Sequence, residues 1–465
     1  MERSKIKFEV PENNSDEFFD AVDSFESSSE KIVNSKTPTL KEFSPISKFY
    51  SSEGGLKTSD FGSASLLSGR QVVRRKTSKV WKVKESLKRK NKDYYEFYNL
   101  SLIQEFTVNQ ASVGLIEFSP DGRFLAVAGE SPQIFLYEIC RQTYVDEEQF
   151  FLYDEPLKVY SAHANQVSSI SWLTSGLFFV SGSLDGMVYK WSIAENTPIS
   201  IFKHNSEVVF LSTHPQNEDL LVTGSKDNRI RIWNCLTARV DTDFSVQGEI
   251  TAGKFSPQGL VILGLCTGFC HILSYNCFSK AMELVRILDC RNTRGPKSSG
   301  RKITGFDFVG CLCLITSNDS RIRLFDLNNF EIVQKYKGLK NDNSKIVATI
   351  GGGGKFVVSG SENGNVYIWN LKNINVPKFN PVFTKKKRYK NSSYEYMILD
   401  KKKSCTVAKF APDNLVENAQ RRYAAAKQNV DIHSILVVIN KGVLYIFYNK
   451  ILQAKRNLSL NKSFA

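Results

Sequence analysis

The chain has 465 residues, 42% of them apolar and 23% charged, with 28 Gly and 13 Pro, a balance that excludes collagen-like and wholly disordered classes. Its formal net charge of +15 is segmented: residues 70–92 hold eleven Lys/Arg against one acid, 385–403 hold eight against two, and 1–30 hold nine acids against three bases. A uniformly basic nucleic-acid binder is therefore not the expectation, and the segments are read separately. Apolar runs such as 260–266 and 435–439 fall far short of the roughly 18 residues of a membrane span. The acidic, polar beginning is unlike a signal peptide. Nine cysteines, an odd number spread through apolar stretches, point to a reducing compartment and a cytoplasmic protein.

Residues 1–100 are Ser-rich and weakly periodic, which predicts a disordered tail. Within it Glu17-Phe18-Phe19-Asp20-Ala21-Val22-Asp23, preceded by Glu9, Glu12 and Asp16, resembles the FFAT motif, two phenylalanines in an acidic tract, bound by VAP proteins of the endoplasmic reticulum. Six of the seven core positions agree, and Asp23 keeps the charge of the usual Glu. An acidic flank draws such a peptide to a basic groove, where two aromatics beside a small Ala dock as anchors. The plainer alternative is a solvated amphipathic stretch. The run from Arg70 to Lys92 follows, with Trp81 and with candidate phosphosites at Thr77 and Ser78. It suits an anionic lipid surface, a protein-binding strip beside the next domain, or a solvated linker. Nucleic acid is disfavoured, because no interleaved aromatic platform accompanies it.

From residue 101 to 450 the chain repeats itself. The segments 167–193 and 208–234 each read as an alternating strand, a turn, a second strand ending in small residues, an Asp-centred turn, and a third strand ending near Trp. Such alternation with frequent Gly, Asn and Asp turns signals short antiparallel strands. Closing aromatics fall at Tyr137, Trp191, Trp233, Tyr275, Phe325, Trp369 and Phe447. Their spacings of 54, 42, 42, 50, 44 and 78 residues lie around the roughly 40–45 residues of WD40 blades with loop insertions. The predicted first turns are 118–124, 255–261 and 410–414, and the second turns are 181–186, 223–228, 316–321 and 359–364. Seven units give an all-β, seven-bladed WD40 β-propeller with few exposed sheet edges. Either 102–107 or 451–455 supplies the closing strand. The basic stretch 376–403 is expected as a surface loop, and 451–465 as a short C-terminal tail.

The WD40 resemblance implies a buried hydrogen-bonded tetrad in two blades: His163, Ser181, Asp185 and Trp191, then His204, Thr223, Asp227 and Trp233. Such a chain stabilises only when every member is satisfied. Recurrence in successive blades favours this structural reading over a catalytic one. The glycine run 351–355 fails as a phosphate loop, since Thr349 and Phe356 stand where Gly and Ser or Thr belong. It reads as a turn between two strands of the sixth blade. Cys266 with Cys270, and Cys311 with Cys313, lack four-ligand zinc spacing. Alternation places the second pair on one strand face as small core residues. No catalytic residue, metal or cofactor is expected.

A narrower resemblance rests on 80–106 (VWKVKESLKRKNKDYYEFYNLSLIQEF), RKITGFDF (301–308), NDSRIRLFDL (318–327), YKGLKNDNSKI (336–346), and FAPDN followed by LYIFYNK (444–450). These segments are similar to the WD repeat-containing protein 44 family of Rab-binding WD-repeat proteins, over about residues 80–450. That resemblance implies a non-enzymatic adaptor in membrane traffic, peripheral to endosomal and endoplasmic-reticulum membranes and expected as a monomer. Its implied partners are a recycling-endosome Rab GTPase in the GTP form and a VAP-type protein. A scaffold or substrate receptor of another complex, or an RNA- or ribosome-associated protein, is the alternative, because a propeller does not fix function.

Overall fold

The computed structural model describes residues 86–108, 112–140, 151–153, 155–292, 301–371, 390–400, 403–425, 430–440 and 442–452. The predicted alternation becomes seven sheets, each built on four antiparallel strands, and two of them carry a fifth strand. Listed from innermost to outermost strand, blade one runs from Val113–Phe118 to Lys158–Tyr160 and blade two from Val167–Trp172 to Ser200–Lys203. Blades three and four run from Val208–Thr213 to Arg239–Ser245 and from Ile250–Phe255 to Ala281–Asp289. Blade five runs from Ile303–Val309 to Glu331–Tyr336, and blade six from Thr349–Gly351 to Tyr394–Ile398. All seven closing aromatics sit on the third strand of their blade. There they fill the space between sheets, with Trp191, Trp369 and Phe447 fully buried.

Blade seven closes the ring. Its inner strands are Cys405–Phe410, Val430–Asn440 and Val443–Leu452, and its outer strand is Leu100–Thr107. Leu102 pairs with Phe447 and Phe106 with Leu444, so 102–107 is the closing segment. Ile451 and Leu452 merely lengthen the neighbouring strand. At a bulge between Leu102 and Gln104, the Gln104 side chain turns to blade one. Its Nε2 donates to Leu152 O (2.7 Å), and its Oε1 accepts from Phe151 N (3.2 Å) and Leu152 N (2.9 Å).

Three expectations need correction. First, 410–414 is not a turn: helix α1 (Asp413–Ala425) starts there. Asp413 lies in the first turn, where a carboxylate favours the helix dipole, and it also accepts from Gly353 N (3.0 Å). Leu415 and Ala419 of this helix are buried with Phe118 and Val127. Secondly, the described half of 376–403 is strand rather than loop. Tyr394–Ile398 is the outer strand of blade six, and Lys390–Asn391 pairs in parallel with Lys335 and Tyr336 of blade five. The burial of Tyr394, Glu395 and Met397 in this strand outweighs the basic composition. Thirdly, the described part of the tail is ordered. Leu87–Lys90 adds a fifth strand to blade six beside Tyr394–Met397, with Leu87, Phe97 and Leu100 buried.

An ionic clasp holds this leading segment. Lys92 Nζ, only 7% exposed, donates to Glu395 (2.8 Å), Glu96 (2.6 Å) and Asn370 (3.0 Å). Glu395 also accepts from Glu96 N and Phe97 N (2.9 and 3.1 Å). Burial alone would lower the Lys92 pKa, but its bonds to Glu395 and Glu96 outweigh that and raise it. A raised lysine contributes its stability throughout the neutral range and loses it only above the ordinary lysine pKa. Breaking a buried pair leaves an uncompensated charge. Glu395→Ala should therefore cost about 3 kcal/mol or more in urea unfolding at pH 7; unchanged unfolding would show that the clasp does not anchor the segment.

Candidate functional site

Blade two contains the complete tetrad. Ser181 Oγ accepts from Trp191 Nε1 (2.8 Å) and lies 2.7 Å from His163 Nε2, while His163 Nδ1 lies 3.2 Å from Asp185 Oδ2. Asp185 also accepts from Ala164 N and Met187 N (both 2.8 Å), fixing the turn whose Gly186 takes φ 81°. Burial lowers the His163 pKa against the opposing pull of Asp185.

In blade three the chain is cut. Thr223 Oγ1 still joins Trp233 Nε1 and His204 Nε2, both at 2.8 Å, but His204 Nδ1 is buried without a partner. Asp227 is taken instead by Arg231, whose Nη2 donates at 2.7 Å, and by Ser225 Oγ at 2.5 Å. The expected contact from Asp227 to His204 is therefore absent. The cause is the residue six after the turn serine: it is Tyr189 in blade two and Arg231 in blade three. Blade five repeats the second solution, with Arg323 bonded to Ser317 (2.7 Å) and to Asp319. The serine-x-aspartate-x-x-x-arginine spacing was readable in the sequence but did not enter the tetrad reading.

These side chains surround structural turns. A concave feature lies at one mouth of the central channel, a cavity of about 790 Å³ lined by residues that include Glu130, Ser168, Glu207, Lys226, Lys345 and Thr406. Lys345 reaches across it from the loop leading into blade six, donating to Ser168 O (3.1 Å) and Val209 O (3.3 Å) of blades two and three. Its pKa falls to about 8, through burial and then Lys302. Its loop is held by Glu362 Oε1, which accepts from the backbone N–H groups of Asp342, Asn343 and Ser344 (2.7–2.9 Å). Neither Lys345 nor Glu362 stood out in the sequence. Elsewhere on the inner strands, Lys254 meets Asp307 (3.3 Å) and Lys409 meets Glu117 (2.6 Å), each pair joining adjacent blades.

The glycine run 351–355 is the turn between Thr349–Gly351 and Phe356–Ser359, with Gly352, Gly353 and Gly354 at positive φ. Cys313 is buried in its strand, whereas Cys311 precedes the strand and is partly exposed. The two therefore do not share a strand face. Cys270 Sγ instead approaches Cys290 Sγ at 3.6 Å, and both thiols are free. Among the described residues no group of three or more His, Cys, Asp or Glu is placed to hold a metal. Likewise among them, no helix is long and apolar enough to cross a membrane. Glu17, Phe18, Phe19, Asp20, Ala21, Asp23, Thr77 and Ser78 lie outside the described residues.

Two measurements follow from the tetrad geometry. Burial and then Arg231 hold the His204 pKa down to about 4. A histidine with a depressed pKa is neutral in the fold, and the unfolded chain takes up its proton first. Stability should thus fall by about 2–3 kcal/mol as pH drops from roughly 6.5 to 4, and His204→Gln should flatten that slope in denaturant titrations. Asp185→Ala should cost about 1–3 kcal/mol by orphaning His163. If unfolding at pH 7 is the same with and without Asp185, its bond to His163 does not contribute.

Comparison with known proteins agrees with this architecture. The family model "WD domain, G-beta repeat" matches residues 154–192, 196–234 and 341–370. WD repeat-containing protein 44 of Xenopus laevis is 33% identical over 220 residues, covering 46% of this chain and 24% of that protein. An uncharacterized WD repeat-containing protein of Schizosaccharomyces pombe is 24% identical over 289 residues, 56% of this chain and 48% of its own. The 2-deoxy-glucose resistant protein 2 of Saccharomyces cerevisiae is 23% identical over 299 residues, 58% and 32%. The chain thus spans about a quarter to a half of these relatives' lengths. It is a seven-bladed β-propeller carrying WD40 repeats.

Proposed function

We propose that this protein is a non-enzymatic adaptor of membrane traffic. In this reading it is an effector of a recycling-endosome Rab GTPase and ties endosomes to the endoplasmic reticulum through a VAP-type protein. The observation that carries the reading is the coexistence in one chain of the acidic 17–23 motif and a propeller similar to WD repeat-containing protein 44. The docked segment supports it. Residues 86–99 are held against blade six by the Lys92 clasp, so a GTPase contact made beside the propeller would meet a fixed surface rather than pay to order a free one.

The full chain should retain the GTP-locked and not the GDP-locked form of such a GTPase. A ligand without differential affinity for two states cannot report which is populated, so equal retention of both forms, or of neither, overturns the effector half. For the tail, a peptide spanning residues 8–30 should bind a VAP domain in calorimetry. Phe19→Ala or Asp20→Ala should abolish binding, because the anchor and the fixed charge are lost. Neutralising Glu9, Glu12 and Asp16 should slow association chiefly at low salt, where the Debye length exceeds about 10 Å. Equal binding by the Phe19→Ala, Asp20→Ala peptide would sink the contact-site half.

A further inference from the structure

The outer part of blade five carries a concentration of positive charge that neither the tail nor the channel explains. Arg323 is opposite Lys335 across one strand pair, and Lys335 is opposite Lys390 across the next. Arg321 lies two residues from Arg323, on the same side by strand alternation, and Lys337, just past the end of its strand, is close enough for Arg321, Lys390 and Lys335 to act on it. That side faces blade four, since its companions Phe325 and Leu327 pack with Ile272 and Leu288. Alternate residues Ile322, Leu324 and Tyr336 pack instead toward blade six. Among the described residues, Asp319 and Asp289 reach this cleft and both are engaged, Asp319 with Arg323 and Asp289 with Arg291. No ion pair is made by Lys335, Lys337, Lys390 or Arg321 among the described residues.

Like charges placed directly opposite one another oppose strand pairing, and here three strands in a row bring them together. The crowding acts on the amines themselves. Burial first, and then Arg323, lowers the Lys335 pKa; burial, Arg321 and the neighbouring lysines lower that of Lys337. An anion seated between the cations would relieve that repulsion. Adjacent strands are only about 4.8 Å apart, so Arg323, Lys335 and Lys390 stand on three neighbouring strands within roughly 10 Å, a span that one compact polyphosphate covers. An extended nucleic-acid backbone would call for a longer track with stacking aromatics.

The geometry points to a phosphoinositide-binding site on blade five, in which Lys335, Lys337, Lys390 and Arg321 receive the phosphorylated headgroup of a membrane lipid. The site is distinct from the 70–92 run and independent of the GTPase and VAP readings. Flotation of the full chain with phosphatidylcholine vesicles, with and without phosphatidylinositol bisphosphate, tests it. The phosphoinositide should be required for binding, and the Lys335→Gln, Lys337→Gln, Lys390→Gln variant should bind roughly a hundredfold more weakly. That variant should also melt no lower than the parent, because repulsion is relieved. Should it fail to fold, Lys390→Gln alone, at an exposed position, should show a loss of roughly fivefold. Unchanged vesicle binding overturns the proposal, as does a variant that melts lower while losing binding, which would make the cluster structural. Lysine-dependent binding of soluble inositol hexakisphosphate without vesicle binding would overturn the membrane source. Equal, lysine-dependent retention of single-stranded RNA would overturn the ligand class.

Discussion

The pairing of Leu100–Thr107 with Val443–Leu452 is the contact on which the rest of the ring depends, because each blade buries its faces only against two neighbours. Without that strand, blade seven would present a raw edge and blade one would lose the Gln104 bonds to Phe151 and Leu152. Loop-closure entropy grows only by about 0.6 kcal/mol per doubling of length, so closing a long ring costs little more than closing a short one. What closure demands is specificity, since a one-residue slip would turn Leu102 and Phe106 to the wrong face. The bulge at Gln104 and the Lys92 clasp supply it, by fixing where the strand starts and where its side chains turn.

Between closed blades the same solution recurs on the innermost strands: a hydroxyl donates to a backbone carbonyl of the next blade. Thr251 donates to Ile303 O (2.7 Å), Thr304 to Ile346 O (2.7 Å), Thr349 to Ala408 O (3.1 Å) and Thr406 to Val113 O (3.0 Å). These bonds satisfy inner-edge carbonyls that would otherwise face the channel. The blades differ more at their turns. Blade two secures its turn with a neutral Trp-Ser-His chain ending on Asp185, whereas blades three and five use an Asp–Arg pair. The arginine form gives up a partner for His204 Nδ1 and gains charge-assisted bonds.

Much of this was legible because local pattern and global fold agree. The seven closing aromatics and the positive-φ turns at Gly186, Asn228, Ser320 and Gly364 sit where alternation and turn chemistry placed them, whereas the choice between 102–107 and 451–455 for the closing strand needed the pairing itself. What was missed depends on contacts between distant segments. Nothing in Pro412-Asp413-Asn414 separates a turn from a helix start until Leu415 finds the pocket beside Phe118. The lysine-rich 376–403 stretch read as loop because composition hid the Tyr394–Ile398 strand, and Arg231 displaced a tetrad contact that its neighbours' identities implied. The acidic 17–23 motif is the reverse case: its meaning lies wholly in residue types, so the fold adds nothing to it.

The fifth strand also bears on the basic run. Lys88, Arg89 and Lys90 are exposed along the outer edge of blade six, where an unprotected strand would invite pairing with another chain. Lysines on an edge oppose such pairing, so these three cations have a structural use whatever binds the rest of the run. Lys92, next in line, points inward to Glu395 and is spent on the clasp. A partner that recognises this segment must therefore read its outward cations without drawing Lys92 away. Pulling Lys92 out would leave Glu395 buried and unpaired, a few kcal/mol uphill, and would loosen the strand that closes the ring. Binding at this edge is thus confined to partners that accept the segment as docked, which makes the propeller's entrance a rigid platform rather than a hinge.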